Sequence, residues 1–202
     1  MKIICIARNY ADHAKELNSE VPSVPVFFMK PESSILLNDQ PFFMPDFSTE
    51  VHYETEIVLK IIRLGKNIEK QFANRYYQEV GIGIDFTARD IQRDCIKNGN
   101  PWEISKGFDG AAALGKFIKK DKLPDPYSIN FQLELNDKIV QKGNTKDLIF
   151  SFDDIIAYVS KFMTLKIGDL IYTGTPAGVG PVKIGDHLVG SVEGQVLLDF
   201  YV

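Results

Sequence analysis

The sequence predicts an α+β domain that is predominantly β. Short strand patterns dominate it, helical periodicity is confined to a few stretches, and the strands recur at irregular spacing. A doubly wound parallel sheet would show regular strand–helix alternation, and the chain does not. No internal repeat, low-complexity tract or Ser/Gly linker divides it, and 202 residues suit one compact unit. A single domain over residues 1–202 is expected.

The elements follow in order. Residues 1–7 form an apolar run that Arg8 and Asp12 cut off too early for a signal peptide, so it reads as a first strand. A short helix is expected just after Tyr10. Residues 26–30 make a compact strand closed by Pro31. Residues 56–62 are mostly apolar and β-branched, as in a strand buried on both faces. Helices are expected over 68–80 and 88–97, separated by the Gly-punctuated apolar strand Val80-Gly81-Ile82-Gly83-Ile84 that ends at Asp85. Residues 131–135 alternate with period two, Asn136-Asp137 supplies a turn, and Ile139-Val140 returns. The clearest helix opens at Ser151, with Asp154 three residues on in a capping box. Behind it Ile155, Ile156, Val159, Phe162 and Met163 fall on one face, which is read as core. Residues 170–173 and 196–200 complete the β pattern.

Composition narrows the function classes. A hydrophobic fraction of 45% and a charged fraction of 25% are those of an ordinary soluble protein. Net charge is -4, from 23 Lys and Arg against 27 Asp and Glu mixed along the chain. The basic stripe that a phosphate backbone requires is missing, so nucleic acid is not an expected partner. No apolar run approaches a membrane span, and a cytoplasmic setting is expected. Cys5 and Cys95 lie too far apart for a metal knuckle and are too few for a disulfide framework; both are read as reduced, buried thiols.

Several clusters can carry chemistry. Glu54 and Glu56 stand two apart at the mouth of the apolar strand, so both carboxylates leave from one face, roughly 6–7 Å apart. They are either a solvated strand edge or a pair that a hard divalent cation holds together. Asp85 ends a buried strand and is followed by Arg89 and Gln92; it is either a helix N-cap or a paired, metal-bound carboxylate. His13 and Glu16, three apart, meet on one helical face, as an exposed contact or as a general base with its orienting carboxylate. Lys106 lies in an aromatic, glycine-bearing loop, where it either packs its stem on Trp102 or stabilises a developing enolate. The loop 173–180 lacks the Lys-Ser/Thr of a P-loop, and its glycines let backbone approach a ligand closely.

Arg8-Asn9-Tyr10 with His13 and Glu16, Glu54-Thr55-Glu56, Asp85 with Thr87-Ala88-Arg89-Asp90 and Gln92, Lys106, and the loop 173–180 come in an order and spacing that resembles the fumarylacetoacetate hydrolase family. The likeness is to its short, single-domain acylpyruvase and oxaloacetate decarboxylase branch, and it covers essentially the whole chain. Ala7 departs from the glycine common before the Arg-Asn-Tyr run. The resemblance implies a mixed β-sandwich roll, a homodimer, and a metal site of Glu54, Glu56 and Asp85 holding Mg2+ or Mn2+. It implies that His13 and Glu16 position water on a short helix that closes as a lid, that Lys106 faces the substrate, and that Arg8, Arg89, Gln92 and Thr175 bind it. The implied activity is hydrolysis of the carbon–carbon bond of an acylpyruvate of the fumarylpyruvate type, decarboxylation of oxaloacetate, or both. Isomerisation or tautomerisation of an oxo-diacid is the alternative. Two rivals of other kinds are a non-enzymatic ligand-binding module and a Schiff-base lyase built on Lys106.

Overall fold

Apolar β-branched runs become strands wherever they can be paired on both sides. The computed structural model describes residues 1–16, 20–37 and 40–202. In chain order it holds β1 (Ile3–Ala7), α1 (Ala11–Glu16), β2 (Val26–Lys30), β3 (Ile35–Leu37), β4 (Val51–Tyr53), β5 (Thr55–Ile61), α2 (Lys70–Ala73), β6 (Tyr77–Asp85) and β7 (Thr87–Ala88). There follow α3 (Arg89–Asn98), α4 (Glu103–Lys106), β8 (Ala112–Lys119), β9 (Asn130–Leu135), β10 (Lys138–Asn144), α5 (Phe152–Val159), β11 (Leu170–Tyr172), β12 (Gly180–Pro181), β13 (His187–Val192) and β14 (Gln195–Tyr201). The mostly-β class read from the sequence is the observed one.

The main sheet has seven strands in the order β2-β1-β11-β5-β6-β8-β3. It is mixed: β1 runs parallel to β11 and β3 to β8, and the other neighbours are antiparallel. A four-stranded sheet, β10-β9-β13-β14, curls over one face, and a short three-stranded sheet, β12-β4-β7, lies beside the ends of β5 and β6. The two larger sheets touch closely. A Cβ on Gly115 of β8 would stand 2.6 Å from the Leu197 carbonyl oxygen of β14, and one on Gly190 of β13 would stand 3.1 Å from Ile82 of β6. Ile82, Ile84, Leu133, Leu188 and Val192 fill the interface and are fully buried. Each such side chain stabilises the sandwich by about 1.5–3 kcal/mol.

Two expectations fail for physical reasons. The helix expected over 68–80 is reduced to α2, and β6 begins at Tyr77. Strand β6 is hydrogen-bonded to β5 on one side and β8 on the other, and this pairing overrides a local helical pattern. Phe162, expected on the core face of the last helix, is 57% exposed. The capping box of Ser151 and Asp154 starts α5 as expected, and Ile155, Ile156 and Val159 are buried, but the helix ends at Val159. Phe162 instead leans on Phe27, with ring centroids 5.8 Å apart. Cys5 and Cys95 are free and buried. No helix among the described residues is long and apolar enough to cross a membrane.

Candidate active site

Strand pairing brings the three expected carboxylates together. Glu54 sits at the junction of β4 and β5, Glu56 is on β5, and Asp85 ends β6 beside them. The register places Glu56 opposite Gly83, and the Asp85 backbone N–H donates to the Glu54 carbonyl at 2.8 Å. One oxygen from each carboxylate lies within 4.8 Å of the others. Glu54, Glu56 and Asp85 are all buried, so the solvated-edge alternative for the first two does not hold. Asp85 is no helix cap either, because α3 begins after Ala88. Gly83 makes room for the arrangement: a Cβ there would meet the Tyr172 ring at 2.6 Å and the Ala113 carbonyl oxygen at 2.7 Å.

Three cations answer the three carboxylates. Lys106, at the end of α4, places its Nζ 2.8 Å from Glu54 Oε2, 2.8 Å from Asp85 Oδ2 and 2.6 Å from Thr87 Oγ1. It is buried, not packed along the surface. Burial works against its charge, but Asp85 and Glu54 outweigh that and hold its pKa above the ordinary lysine value. Arg89, on the first turn of α3, donates to Glu54 Oε1 and, at 2.5 Å, to Gln92 Oε1. Lys30, at the end of β2, reaches Asp85 Oδ1 at 2.7 Å. Burial opposes ionisation of Glu54, yet Lys106 and Arg89 prevail and its pKa is lowered.

Glu56 is the exception. Burial first, and then the charge of Asp85, push its pKa well above the usual carboxylate range. Its described hydrogen bond comes from the Gly174 backbone N–H at 2.6 Å. A cation among the three carboxylates would remove this penalty. The donor set suits one: the available atoms are carboxylate oxygens without sulfur or imidazole, the ligands of a hard divalent ion such as Mg2+ or Mn2+.

His13 and Glu16 stand at the rim on α1. His13 Nδ1 is 3.2 Å from Glu16 Oε2, and the Gly178 N–H donates to Glu16 Oε1 at 3.1 Å. His13 is buried while Glu16 remains exposed, so the pair spans the edge between cavity and solvent. Ahead of them Arg8 adopts φ 56°, a left-handed conformation that costs a non-glycine residue energy. Asn9 holds the strain in place: its Nδ2 donates to the Thr173 carbonyl at 2.8 Å and to the Phe150 carbonyl at 3.0 Å, while its Oδ1 accepts from the Phe150 N–H at 2.8 Å. The loop 173–180 is fixed from below. Gly174 has φ 106°, and a Cβ there would lie 2.7 Å from that of Asn9. Gln141 Nε2 donates to Thr175 Oγ1 at 2.8 Å and its Oε1 accepts from the Thr55 N–H at 2.9 Å.

A cavity of about 560 Å³ opens over the carboxylates. All ten residues expected to form the site, Arg8, His13, Glu16, Glu54, Glu56, Asp85, Arg89, Gln92, Lys106 and Thr175, line its wall. Its other wall is apolar, with Phe28 against Trp102 at 5.9 Å between ring centroids. Sequence reasoning missed Lys30, His52 and Gln141, and quoted Asn9 in its motif without assigning it a role. His52 Nε2 lies 2.9 Å from Glu50 Oε1, and its Nδ1 accepts from Arg89 Nε at 3.5 Å. Burial, aided by Arg89, lowers its pKa. Lys30 carried one signal, a lysine ending an apolar strand just before Pro31.

The chain is similar to known proteins along its whole length. The model of the fumarylacetoacetate (FAA) hydrolase C-terminal family matches residues 2–201. The mitochondrial oxaloacetate tautomerase of Mus musculus is 40% identical over 200 residues, covering 99% of this chain and 90% of its own. The mitochondrial oxaloacetate decarboxylase of Dictyostelium discoideum is 42% identical over 194 residues, covering 96% and 89%. Among solved structures, fumarylpyruvate hydrolase from Pseudomonas aeruginosa in complex with Mn2+ and pyruvate superposes with a TM-score of 0.94 at 31% identity, covering 100% of this chain and 89% of that one. The family model spans nearly the whole chain, and the chain belongs to the fumarylacetoacetate hydrolase family of enzymes.

Proposed function

We propose that the protein is a metal-dependent enzyme that turns small 2-oxo acids into pyruvate-type enolates, with oxaloacetate and acylpyruvates as its substrates. The observation that carries this reading is the buried set of Glu54, Glu56 and Asp85 with Lys106 directly against two of them. The three carboxylates would hold Mg2+ or Mn2+, which when bound supplies a Lewis acid for the carboxylate and 2-oxo oxygens of the substrate. Lys106 presents a positive charge beside the carbon skeleton and stabilises the negative charge that develops as the enolate forms. Arg89, Gln92, Thr175 and Arg8 orient the bound acid.

His13 supplies the base. Glu16 is acceptor-only when ionised, so His13 Nδ1 carries the hydrogen and Nε2 is left free to take a proton. In acylpyruvate hydrolysis Nε2 takes a proton from water as the hydroxyl adds to the distal carbonyl. The carbon–carbon bond then breaks, its electrons pass into the enolate, and protonation at C3 gives pyruvate beside the released acid. In oxaloacetate decarboxylation the C3–C4 bond breaks without water, carbon dioxide leaves, and the same protonation follows. Tautomerisation, a second reading supported by the 40% identical tautomerase, moves a proton from C3 to the 2-oxo oxygen and breaks no carbon–carbon bond. The raised pKa of Lys106 speaks against a Schiff-base lyase, because the ammonium is no nucleophile. A lid formed by α1 and the segment after it and a homodimer belong to the same proposal on the strength of the resemblance, and a cytoplasmic setting on the reading of the sequence alone; sedimentation velocity reads the dimer directly.

The test is turnover of oxaloacetate, acetylpyruvate and fumarylpyruvate by the purified protein with Mg2+. Pyruvate release, or enol–keto interconversion of oxaloacetate, above the metal-only background is expected. Background rates with all three would refute the reading.

A further inference from the structure

Lys30 is a buried cation that the reaction scheme above does not use. Its ammonium is 0% exposed and lies 2.7 Å from Asp85 Oδ1. It donates to the Phe86 carbonyl at 3.1 Å and also to the Lys106 carbonyl. Its hydrogen bonds go to those two carbonyls, while Asp85 Oδ1, which accepts no hydrogen bond, faces it as an ion pair. Lys30 does not line the cavity, so it stands behind Asp85 and away from the substrate. A lysine there is expensive to bury, and carbonyls and a carboxylate could be held by neutral donors at lower desolvation cost. Its distinguishing contribution is charge.

The fixed charges at the floor of the site balance. Glu54, Glu56 and Asp85 contribute three negative charges as metal ligands, and Lys30, Lys106 and Arg89 contribute three positive ones through the ion pairs described. A divalent ion therefore gives the loaded floor a net charge of plus two. An enolate with its carboxylate is a dianion and restores neutrality. Without Lys30 the loaded floor would carry a single positive charge, and the same dianion would overfill it. We propose that Lys30 is a positioning residue that sets the charge of this site, holding Asp85 in place while tuning the metal-loaded floor to a dianionic ligand. The proposal rests on the metal-dependent reading above. A residue this close to a metal ligand acts on cation and anion with opposite sign, because its charge repels the one and attracts the other.

The experiment is titration calorimetry on wild type, Lys30→Met and Lys30→Arg, first with Mg2+ alone and then with oxalate at saturating Mg2+. Oxalate is a dianion with the geometry of pyruvate enolate. In Lys30→Met, Mg2+ is expected to bind roughly tenfold tighter or more, and oxalate roughly tenfold weaker or more. Lys30→Arg keeps the charge and is expected to keep oxalate affinity within about threefold. If both affinities fall together in Lys30→Met, Lys30 merely props Asp85, and the proposal is overturned; unchanged affinities overturn it equally. Should Lys30→Met fail to fold, loss of oxalate binding in Lys30→Arg is the overturning result. Wild type that binds neither Mg2+ nor Mn2+ would instead strike the metal-dependent reading itself, and no turnover assay is needed to tell these outcomes apart.

Discussion

Lys106 ends a four-residue helix with its ammonium against two carboxylates and a threonine hydroxyl, while His13 stands at the rim beside Glu16. Under the proposed mechanism the two residues would serve different steps, and kinetics can separate them. His13→Ala should lower kcat/KM for acylpyruvate hydrolysis by the roughly 10²–10⁴-fold typical of a lost general base. Its effect on oxaloacetate decarboxylation, which needs no directed water, should be smaller. Lys106→Ala should depress both reactions, because both pass through an enolate. It should also cost stability, since Glu54 and Asp85 would be left buried beside an empty position; breaking a buried pair costs about 3–5 kcal/mol. Thermal unfolding of each variant alongside its kinetics separates these effects. An equal fall of both reactions in His13→Ala would show that the residue orients substrate or holds the rim, and does not activate water. Residue chemistry and the family resemblance together made the site the most legible layer: each of the ten candidate side chains, Arg8 and Thr175 among them on the resemblance alone, lines the cavity. Lys30 and Gln141 were illegible because their roles depend on partners distant in sequence. Asn9, though part of the motif that carries the resemblance, had no role assigned for the same reason. Lys30 is 55 residues from Asp85, and Gln141 is 86 residues from Thr55.

At the scale of elements, α1 and the loop 173–180 border the cavity, and α1 is the element proposed to close over it. Helix α1 has only six residues, and isolated helices of that length are not stable in water. It is held by the Gly178 N–H on Glu16 and by the buried His13 and Ala14, and the expected lid segment continues into residues 17–19, which lie outside the described residues. Closure over a bound 2-oxo acid would exclude water from the enolate. Hydrogen exchange of the Mg2+-loaded protein should therefore slow over α1 and the following segment when oxalate is added. Equal exchange with and without oxalate would mean that the rim is preformed. Element boundaries were legible where a local rule operates, as in the reciprocal Ser151–Asp154 cap of α5. They were not legible where sheet pairing decides. Residues 77–80 carry a pattern that suits a helix, but they begin a strand with a partner on each side, and only the assembled sheet contains that information.

For the molecule as a whole, the sandwich performs one electrostatic task. It carries three carboxylates into the interior on β5 and β6 and closes the surrounding wall with cations from β2, α3 and α4. Burying such a set is costly unless it is paired, and the raised pKa of Glu56 marks where pairing is incomplete. A divalent ion held by these carboxylates would relieve the penalty on Glu56 and, added to a floor whose fixed charges already balance, would leave the cavity positive and attractive to an anionic 2-oxo acid. That claim is open to one direct measurement, the rate of oxaloacetate consumption and pyruvate appearance by protein stripped of metal and then reloaded. Activity should vanish in excess chelator and return with Mg2+ or Mn2+, with Glu54→Gln requiring much more of either ion while remaining folded. Full turnover by the wild type in excess chelator would contradict it.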